Sequence, residues 1–242
     1  MQDIPAPYGL IMADPNHWFE VTLVFDLGNN QHLEVAENRL LSVTTSHSAF
    51  SDGVPQIGCA VAGEVEATFL KPDETIPKMC GFVIRVRART ETLSSIFFNK
   101  GTYYIDTREV SHNSDGIDVM TIHGYDAMLK FEGMYPSDDE HDYPLLDTTM
   151  LQFMADSVGV QIDQRTLDKM DRRFEFSLPA GYTMREMLGF IASAYGGNFI
   201  MSDEGKLLLI TLGRLAVETF YLIDENGDPI AFGEEETTIS VK

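Results

Sequence analysis

The sequence predicts an α+β protein that is mainly β: an antiparallel β-barrel with a small inserted α/β unit of two helices and a short sheet. Apolar and polar residues alternate in several segments of the first 125 residues, as they do in half-buried strands. The pattern changes near Asp126, where capped helices begin, and strand-like segments return after Ala216. We therefore predict a barrel domain over residues 1–130, to which a β segment at 212–242 returns, and an insert over residues 131–211.

Three early segments show the two-residue alternation of strands with one buried face. In residues 18–26 the apolar side is formed by Phe19, Val21, Leu23 and Phe25, and Glu20 and Thr22 lie opposite. In residues 64–70 the apolar side is formed by Val65, Ala67 and Phe69. In residues 81–90 it is formed by Phe82, Ile84, Val86 and Ala88.

Three cations share the polar side of the last of these strands: Arg85, Arg87 and Arg89. One interpretation is a docking strip for a neighbouring subunit. The other is a solvated face whose arginines pair with local carboxylates, as surface charges commonly do. The sequence leaves both open.

Further strands are predicted at residues 95–99, 102–107 and 117–123. Two polar, glycine-containing segments separate them, Asn99-Lys100-Gly101 and residues 112–116, and such segments are typical of turns.

Helix signals follow this β-rich part. Asp126 can cap a short helix that ends at Gly133, and an acidic linker then continues to Pro144. Asp147 can cap the next helix, which ends at Gly159 before an extended piece at residues 160–163. Its apolar stripe is formed by Met150, Met154 and Val158.

The last helix has the most specific local signal. Thr183 and Glu186 have the spacing of a capping box, in which each side chain satisfies a free backbone N–H. An apolar stripe follows at Leu188, Ile191, Ala192 and Tyr195. We expect Gly196 and Gly197 to supply the left-handed positions that end the helix. Residues 198–201 and 206–211 then form a hairpin around the turn at 202–205.

The returning segment predicts a hairpin around Asn226-Gly227-Asp228. Four oxygen-bearing residues there have the spacing of a calcium loop: Asp224, Asn226, Asp228 and Glu235. Pro229 occupies the position where that loop requires glycine, and the flanking residues are strand-like, so a hairpin tip is the better interpretation.

Charge and composition restrict the possible partners. The 242 residues include 38 acidic and 17 basic residues, for a net charge of -21. Such a surface repels phosphate, so sequence-specific binding of DNA or RNA is disfavoured, whereas an acidic wall could let a polyanion pass without adhering. No apolar run is long enough to cross a bilayer, and the N-terminus lacks the pattern of a secretion signal, so we expect no membrane insertion.

Motifs for chemistry are absent. The sequence contains no phosphate loop, dinucleotide fingerprint, zinc helix or nucleophile elbow, so we predict no catalytic residues and no cofactor. The six histidines are scattered, and Cys59 and Cys80 are expected to be two buried thiols. The acidic run at residues 137–142 is interpreted as a solvated linker, with a loop site for a divalent cation as the alternative.

Three strings resemble a known family. KGTYYIDTREVSHNSDGIDVMTIHGYDAML, residues 100–129, is similar to the strand-turn-strand-helix segment of bacteriophage and prophage tail proteins of the baseplate hub type. YTMREMLGFIASAYGGNFIMSDEGKL, residues 182–207, resembles the helix and hairpin of their α/β insert. IGCAVAGEVEATFLKPDETIP, residues 57–77, resembles their early barrel strands.

The resemblance implies a non-enzymatic structural protein with a hub-like barrel domain in a virion tail, assembled in the bacterial host cytoplasm. Members of the family form homotrimeric rings with quasi-sixfold barrel domains that join the tail tube to the tip or spike. The rings open so that DNA can pass. Free strand edges of the barrel would then be completed by identical copies, which removes unpaired backbone groups. The interface residues we predict are Arg85, Arg87 and Arg89.

The chain departs from the family in length. A full hub usually carries two barrels and two inserts, whereas one barrel, one insert and the beginning of a returning β segment account for all 242 residues here. We therefore expect either a fragment of a hub or a short relative of the family. Many tail-tip proteins also carry a wall-degrading domain, and none is visible. The alternatives are a polysaccharide-acting hydrolase or lyase that uses carboxylates such as Asp138, Asp139 or Glu140, and a carbohydrate-binding adhesin.

Overall fold

The computed structural model describes residues 7–36, 38–50, 55–112, 116–136 and 142–211. The predicted returning segment, including its hairpin at 226–228 and the calcium-like spacing, lies outside the described residues. The same is true of Asp138, Asp139 and Glu140.

Seven antiparallel strands form the main sheet. They are β1 (Trp18–Gly28), β2 (Gln31–Val35), β3 (Leu40–Ser46), β4 (Glu64–Leu70), β5 (Gly81–Arg89), β6 (Phe98–His112) and β7 (Asp118–Asp126). Their order across the sheet is β2-β1-β5-β6-β7-β4-β3, and each neighbouring pair is antiparallel. With a few short helices, this confirms the predicted α+β, mainly β fold class.

The sheet curls into a half-barrel. β1 and β4 are separated by three strands, so in a flat sheet they would lie about 19 Å apart at the usual strand spacing. Nevertheless the rings of Phe25 on β1 and Phe69 on β4 lie 5.6 Å apart between centroids. The inner faces of these two strands therefore meet across a common core.

The alternation predicted for β1, β4 and β5 is confirmed at the centre of this core, where Leu23, Phe25, Val65, Ala67, Phe69, Phe82 and Ile84 are buried. Tyr103 and Ile105 on β6 and Ile122 on β7 complete the inner face. Phe19 lies beyond the core near the start of β1 and is exposed, so the alternation fails there.

The predicted turn at Asn99-Lys100-Gly101 is wrong, because these residues lie inside the single 15-residue strand β6. Val83 pairs with Thr102 and Arg85 pairs with Asn99, so two residues of β6 stand opposite one residue of β5. This bulge absorbs the extra residue, and Gly101 adopts a φ of 137°, which other residues rarely adopt. The antiparallel pairing of β6 with β7 was predicted correctly.

Within the described residues, β2 and β3 form the two edges of the sheet. Neither strand was predicted from the sequence, nor was the short helix α1 (Tyr8–Met12). Ile11 of α1 is fully buried, and Tyr8 of α1 packs edge-on against Phe98 of β6, with 5.9 Å between ring centroids, so this helix is packed onto the sheet.

The residues after β7 form a compact helical unit. It contains a 3-10 helix (Ala127–Glu132), α2 (Asp147–Ser157), α3 (Gln164–Leu167) and α4 (Met184–Ala194). It also contains two short antiparallel pairs, β8 (Leu145–Leu146) with β9 (Glu175–Phe176), and β10 (Gly197–Met201) with β11 (Leu207–Thr211). Its core includes Met128, Phe131, Met150, Met154, Leu188, Ile191 and Phe199. The predicted boundary at residue 130 stays a prediction.

Most helix signals are confirmed. Asp126 caps the 3-10 helix by accepting from the backbone N–H of Met128, and Thr183 and Glu186 form the reciprocal capping box of α4. Two details are wrong. Asp147 is the first residue of α2, and Leu146 holds the cap position. Gly197 begins β10, so only Gly196, with a φ of 64°, supplies a left-handed position.

The segment before β4 links the sheet to the helical unit. It was expected to belong to the early barrel strands, but Ala60 instead forms a parallel bridge with Phe199 of β10. Asn198 is fully buried and fixes this segment through three hydrogen bonds. Its Nδ2 donates to the carbonyls of Ala49 and Gln56, and its Oδ1 accepts from the N–H of Cys59.

Among the described residues, no helix is long and apolar enough to span a bilayer.

Candidate interface surface

The three arginines singled out in the sequence lie on the outer face of β5, and we call them the basic strip: Arg85, Arg87 and Arg89. Their backbone partners on β1 are Thr22, Glu20 and Trp18, respectively. Because Phe82, Ile84 and Ala88 fill the core on the opposite face, the strip points away from the interior.

Glu20 lies between two of the arginines. Nε and Nη2 of Arg87 donate to the two carboxylate oxygens of Glu20, both at 2.8 Å, and Nη1 of Arg89 donates to Oε2 at 2.9 Å. The Glu20 side chain is only 13% exposed. Burial opposes its ionisation, but the hydrogen bonds and charges of the two arginines outweigh burial and lower the pKa of Glu20. Glu20 therefore stays ionised and holds both guanidinium groups in place.

Two aromatic rings flank this group. The guanidinium of Arg87 lies 4.4 Å from the ring centroid of Phe97, and that of Arg89 lies 6.0 Å from the ring of Trp18. Phe97 and Trp18 remain 37% and 38% exposed. Exposed aromatic rings beside ordered arginines are the composition found at the centres of protein interfaces.

The interpretation in which the arginines pair with local carboxylates therefore describes Arg87 and Arg89, which both bind Glu20. Arg85 is exposed, and among the described residues it forms no ion pair. A role of the strip in docking stays a prediction. The sequence placed Glu20 on the same strand face as Thr22, but not beside Arg87, which is 67 residues away in the chain.

A second polar group lies where the sheet meets the helical unit. Oδ2 of Asp126 accepts from the N–H of Gly63 at 2.6 Å, and Oδ1 accepts from the N–H of Met128 at 2.9 Å. Burial raises the pKa of Asp126 to about 6, although both hydrogen bonds and the charge of Arg185 act in the opposite direction. Asp126 therefore ties together the two chain segments that cross between the sheet and the helical unit.

His47 and Tyr103 lie near this junction. Nε2 of His47 is hydrogen-bonded to the hydroxyl of the fully buried Tyr103. Burial lowers the pKa of His47 and raises that of the Tyr103 hydroxyl, so both side chains are neutral near pH 7. The two residues are 56 positions apart in the sequence, so no local sequence signal predicts this pair.

Two surface cavities lie between the sheet and the helical unit. One, of about 680 Å³, is lined by Glu64, Tyr125 and the ion pair of Glu132 with Arg185. The other, of about 750 Å³, contains His47 and the paired charges Asp163 with Arg165 and Glu204 with Lys206. The acidic side chains of the second cavity are ion-paired: Asp163 with Arg165, Asp203 with Lys100 and Glu204 with Lys206.

Cys80 is buried and Cys59 is half-buried, and both are free thiols. In the part of the chain that the structure describes, no three His, Cys, Asp or Glu side chains are grouped in a way that could hold a metal ion.

Comparison with solved structures shows that the fold is similar to that of a known tail protein. The crystal structure of the 43 kDa tail protein of prophage MuSo2 from Shewanella oneidensis matches with a TM-score of 0.54 and 13% identity, over 79% of this chain and 54% of that one. The tail protein from Neisseria meningitidis MC58 gives a TM-score of 0.48 and 12% identity, over 88% of this chain and 53% of that one. The Francisella PdpA-VgrG complex gives a TM-score of 0.45 and 9% identity, over 81% of this chain and 28% of that one.

This chain spans about half the length of the two tail proteins. No family model matches the chain. No curated protein matches it either.

Proposed function

We propose that this chain is a non-enzymatic structural component of a phage tail tip or baseplate hub, or of a related tail-like particle. It assembles with identical copies into a ring that joins the tail tube to the tip or spike. Its place is the virion tail, and assembly occurs in the cytoplasm of the bacterial host. It requires no cofactor and does not insert into a membrane.

The observation that carries this proposal is the curled antiparallel sheet with its attached helical unit, because the prophage tail protein of Shewanella oneidensis shares that fold. A fold alone does not define a function, so the remaining support comes from the surface. The basic strip and its flanking aromatic rings have the composition of an interface. Within the described residues β2 and β3 are the edge strands of the sheet, and they offer a second mode of contact by strand pairing.

The number of copies that we propose is three, in keeping with the hub resemblance. Each copy would then contribute one curled sheet to the ring.

The charge of the chain supports passage of DNA through such a ring. A net charge of -21 leaves most surfaces acidic, and a lumen lined by carboxylates repels the phosphate backbone. DNA would therefore pass without sequence-specific binding. The few exposed cations are then better placed at contacts between copies than in the lumen.

Negative-stain electron microscopy of the purified chain tests this proposal. We expect annular particles with a central opening, and their formation should depend on protein concentration. Particles without an opening, or single globular copies at every concentration, would contradict it.

A turnover assay tests the non-enzymatic part. The protein is incubated with host capsule and cell-wall polysaccharide, and reducing ends are measured. Release of sugar that is lost in the triple variant Asp138→Asn, Asp139→Asn, Glu140→Gln would replace the structural proposal with a hydrolase or lyase. Glycan binding without turnover would instead support an adhesin.

A further inference from the structure

The outer face of β4 carries the charge opposite to that of the basic strip. Glu64 and Glu66 are exposed there, while Val65 and Ala67 face the core. We call these two glutamates the acidic strip. Among the described residues, Glu66 and Arg85 belong to no ion pair. Each strip therefore has an exposed charge that remains available to another molecule.

The two strips lie on opposite walls of the half-barrel. Phe25 of β1 touches Phe82 of β5 on one side, with 5.0 Å between ring centroids, and Phe69 of β4 on the other, at 5.6 Å. Because the inner faces of β5 and β4 enclose the same core, their outer faces point away from each other. The strips of one molecule therefore cannot neutralise each other.

The charges of the strips also match in number. Three arginines and the carboxylate of Glu20 leave the basic strip with an excess of two positive charges. The acidic strip carries two negative charges. Opposite charges placed on different sides of one molecule favour a heterologous contact, in which each copy uses two different surfaces.

We propose that the basic strip of one copy contacts the acidic strip of the next copy, head to tail. This inference rests on the proposed assembly of identical copies and names the surfaces that form the contact. Arg85 supplies the exposed charge that faces Glu66 of its neighbour. Trp18 and Phe97 supply apolar area at the edges of the contact, and Glu20 keeps the other two arginines ordered before binding.

Pairing of β2 with β3 of a neighbouring copy, the two edge strands of the sheet within the described residues, would give a different geometry. β5 is the third strand from one edge and β4 the second from the other, so the two strips would lie about 19 Å apart across the joined sheet. That distance exceeds the Debye length of about 8 Å at physiological salt, so the strips would not interact. A test of charge pairing therefore distinguishes the two modes.

The test is a charge swap, measured by light scattering over a range of protein concentrations. Arg85→Glu and Glu66→Arg should each raise the concentration needed for half-assembly by about tenfold or more, because like charges then face each other. The double variant Arg85→Glu, Glu66→Arg restores opposite charges, and we expect it to assemble within about threefold of the unchanged protein. Circular dichroism of each variant verifies that it is folded, and both positions are exposed.

The matched control for Arg85→Glu is Lys78→Glu, which makes the same change of charge at an exposed turn position outside both strips. It should leave assembly unchanged, and adding it to Glu66→Arg should not restore assembly. If the unchanged protein assembles but the Arg85 and Glu66 swap restores nothing, the strip contact is wrong while the ring remains. If the unchanged protein never assembles, the proposed function itself fails.

Discussion

Replacing Asp126 by Asn should change how the stability of the protein depends on pH. The carboxylate is buried at the junction of the sheet and the helical unit, where it accepts hydrogen bonds from the N–H groups of Gly63 and Met128. Burial raises its pKa from an ordinary value of 3.8 to about 6. The folded protein therefore binds this proton more tightly than the unfolded chain does.

The sign of the effect follows from that difference in proton affinity. Because the pKa of Asp126 is raised on folding, its protonation stabilises the folded state. This stabilisation is fully present below the unfolded pKa, near 4, and is lost as the pH rises through about 6. The difference between the folded and unfolded pKa values corresponds to a full effect of about 3 kcal/mol, since one pKa unit is equivalent to about 1.4 kcal/mol. Asn does not titrate, so the unfolding free energy of the wild type minus that of Asp126→Asn should fall by about 2.5 kcal/mol between pH 4 and pH 7.

The assay is urea unfolding of both proteins, followed by circular dichroism, at several pH values in that range. Glu186→Gln is the control, because hydrogen bonds from the backbone N–H and the hydroxyl of Thr183 lower the pKa of this exposed carboxyl. Its difference from the wild type should stay nearly constant above pH 4. A constant difference for Asp126→Asn, or one that grows with pH, would mean that the hydrogen bonds outweigh burial, and the reasoning would be wrong.

Three other substitutions probe separate parts of the fold. Asn198→Ala removes three hydrogen bonds that fix the linking segment, and we expect the unfolding free energy in urea to fall by about 2–4 kcal/mol; a loss below about 0.5 kcal/mol would refute those contacts. Gly189→Ala places a Cβ 2.6 Å from the carbonyl oxygen of Gly58, so the Tm should fall even though Ala stabilises a free helix interior by about 1 kcal/mol; a higher Tm would contradict the close approach. Glu20→Gln should lower the unfolding free energy at pH 7 by about 1–2 kcal/mol, a loss that disappears as the pH falls through the lowered pKa of Glu20. A loss that does not shrink as the pH is lowered further and further below 4.5, the ordinary pKa of a glutamate, would show that the ion pair with Arg87 is not its cause.

The parts of the fold that the sequence predicted are those whose signal is local. In β4 the core residues alternate with Glu64, Glu66 and Thr68 because one face is buried and the other is not, so a period of two is visible. The capping box of α4 likewise needs only two side chains three residues apart.

The parts that were missed lack such a local signal. β3 is an edge strand in which no residue is fully buried, so its sequence LLSVTTS carries no alternation. In β6 the segment at residues 99–101 has the composition of a turn, but pairing with β5 on one side and β7 on the other keeps it extended. Tertiary pairing therefore overrode a local preference.

The candidate interface was predicted only in part, for the same reason. Alternation was enough to place Arg85, Arg87 and Arg89 on one face of one strand. The partnership of Arg87 with Glu20 depends on the register between β1 and β5, which is set by the packing of both strands on the core. The position of Glu66 on the opposite wall depends on the curl of the whole sheet, which no short stretch of sequence specifies.

The mass of the protein in solution tests the proposed assembly most directly. Light scattering on the chromatographically separated protein, at increasing concentration and physiological salt, gives that mass without reference to shape. Assembly as a homotrimer predicts a species of three times 27.1 kDa that becomes dominant as the concentration rises. A mass that stays at 27.1 kDa at every concentration would contradict the ring.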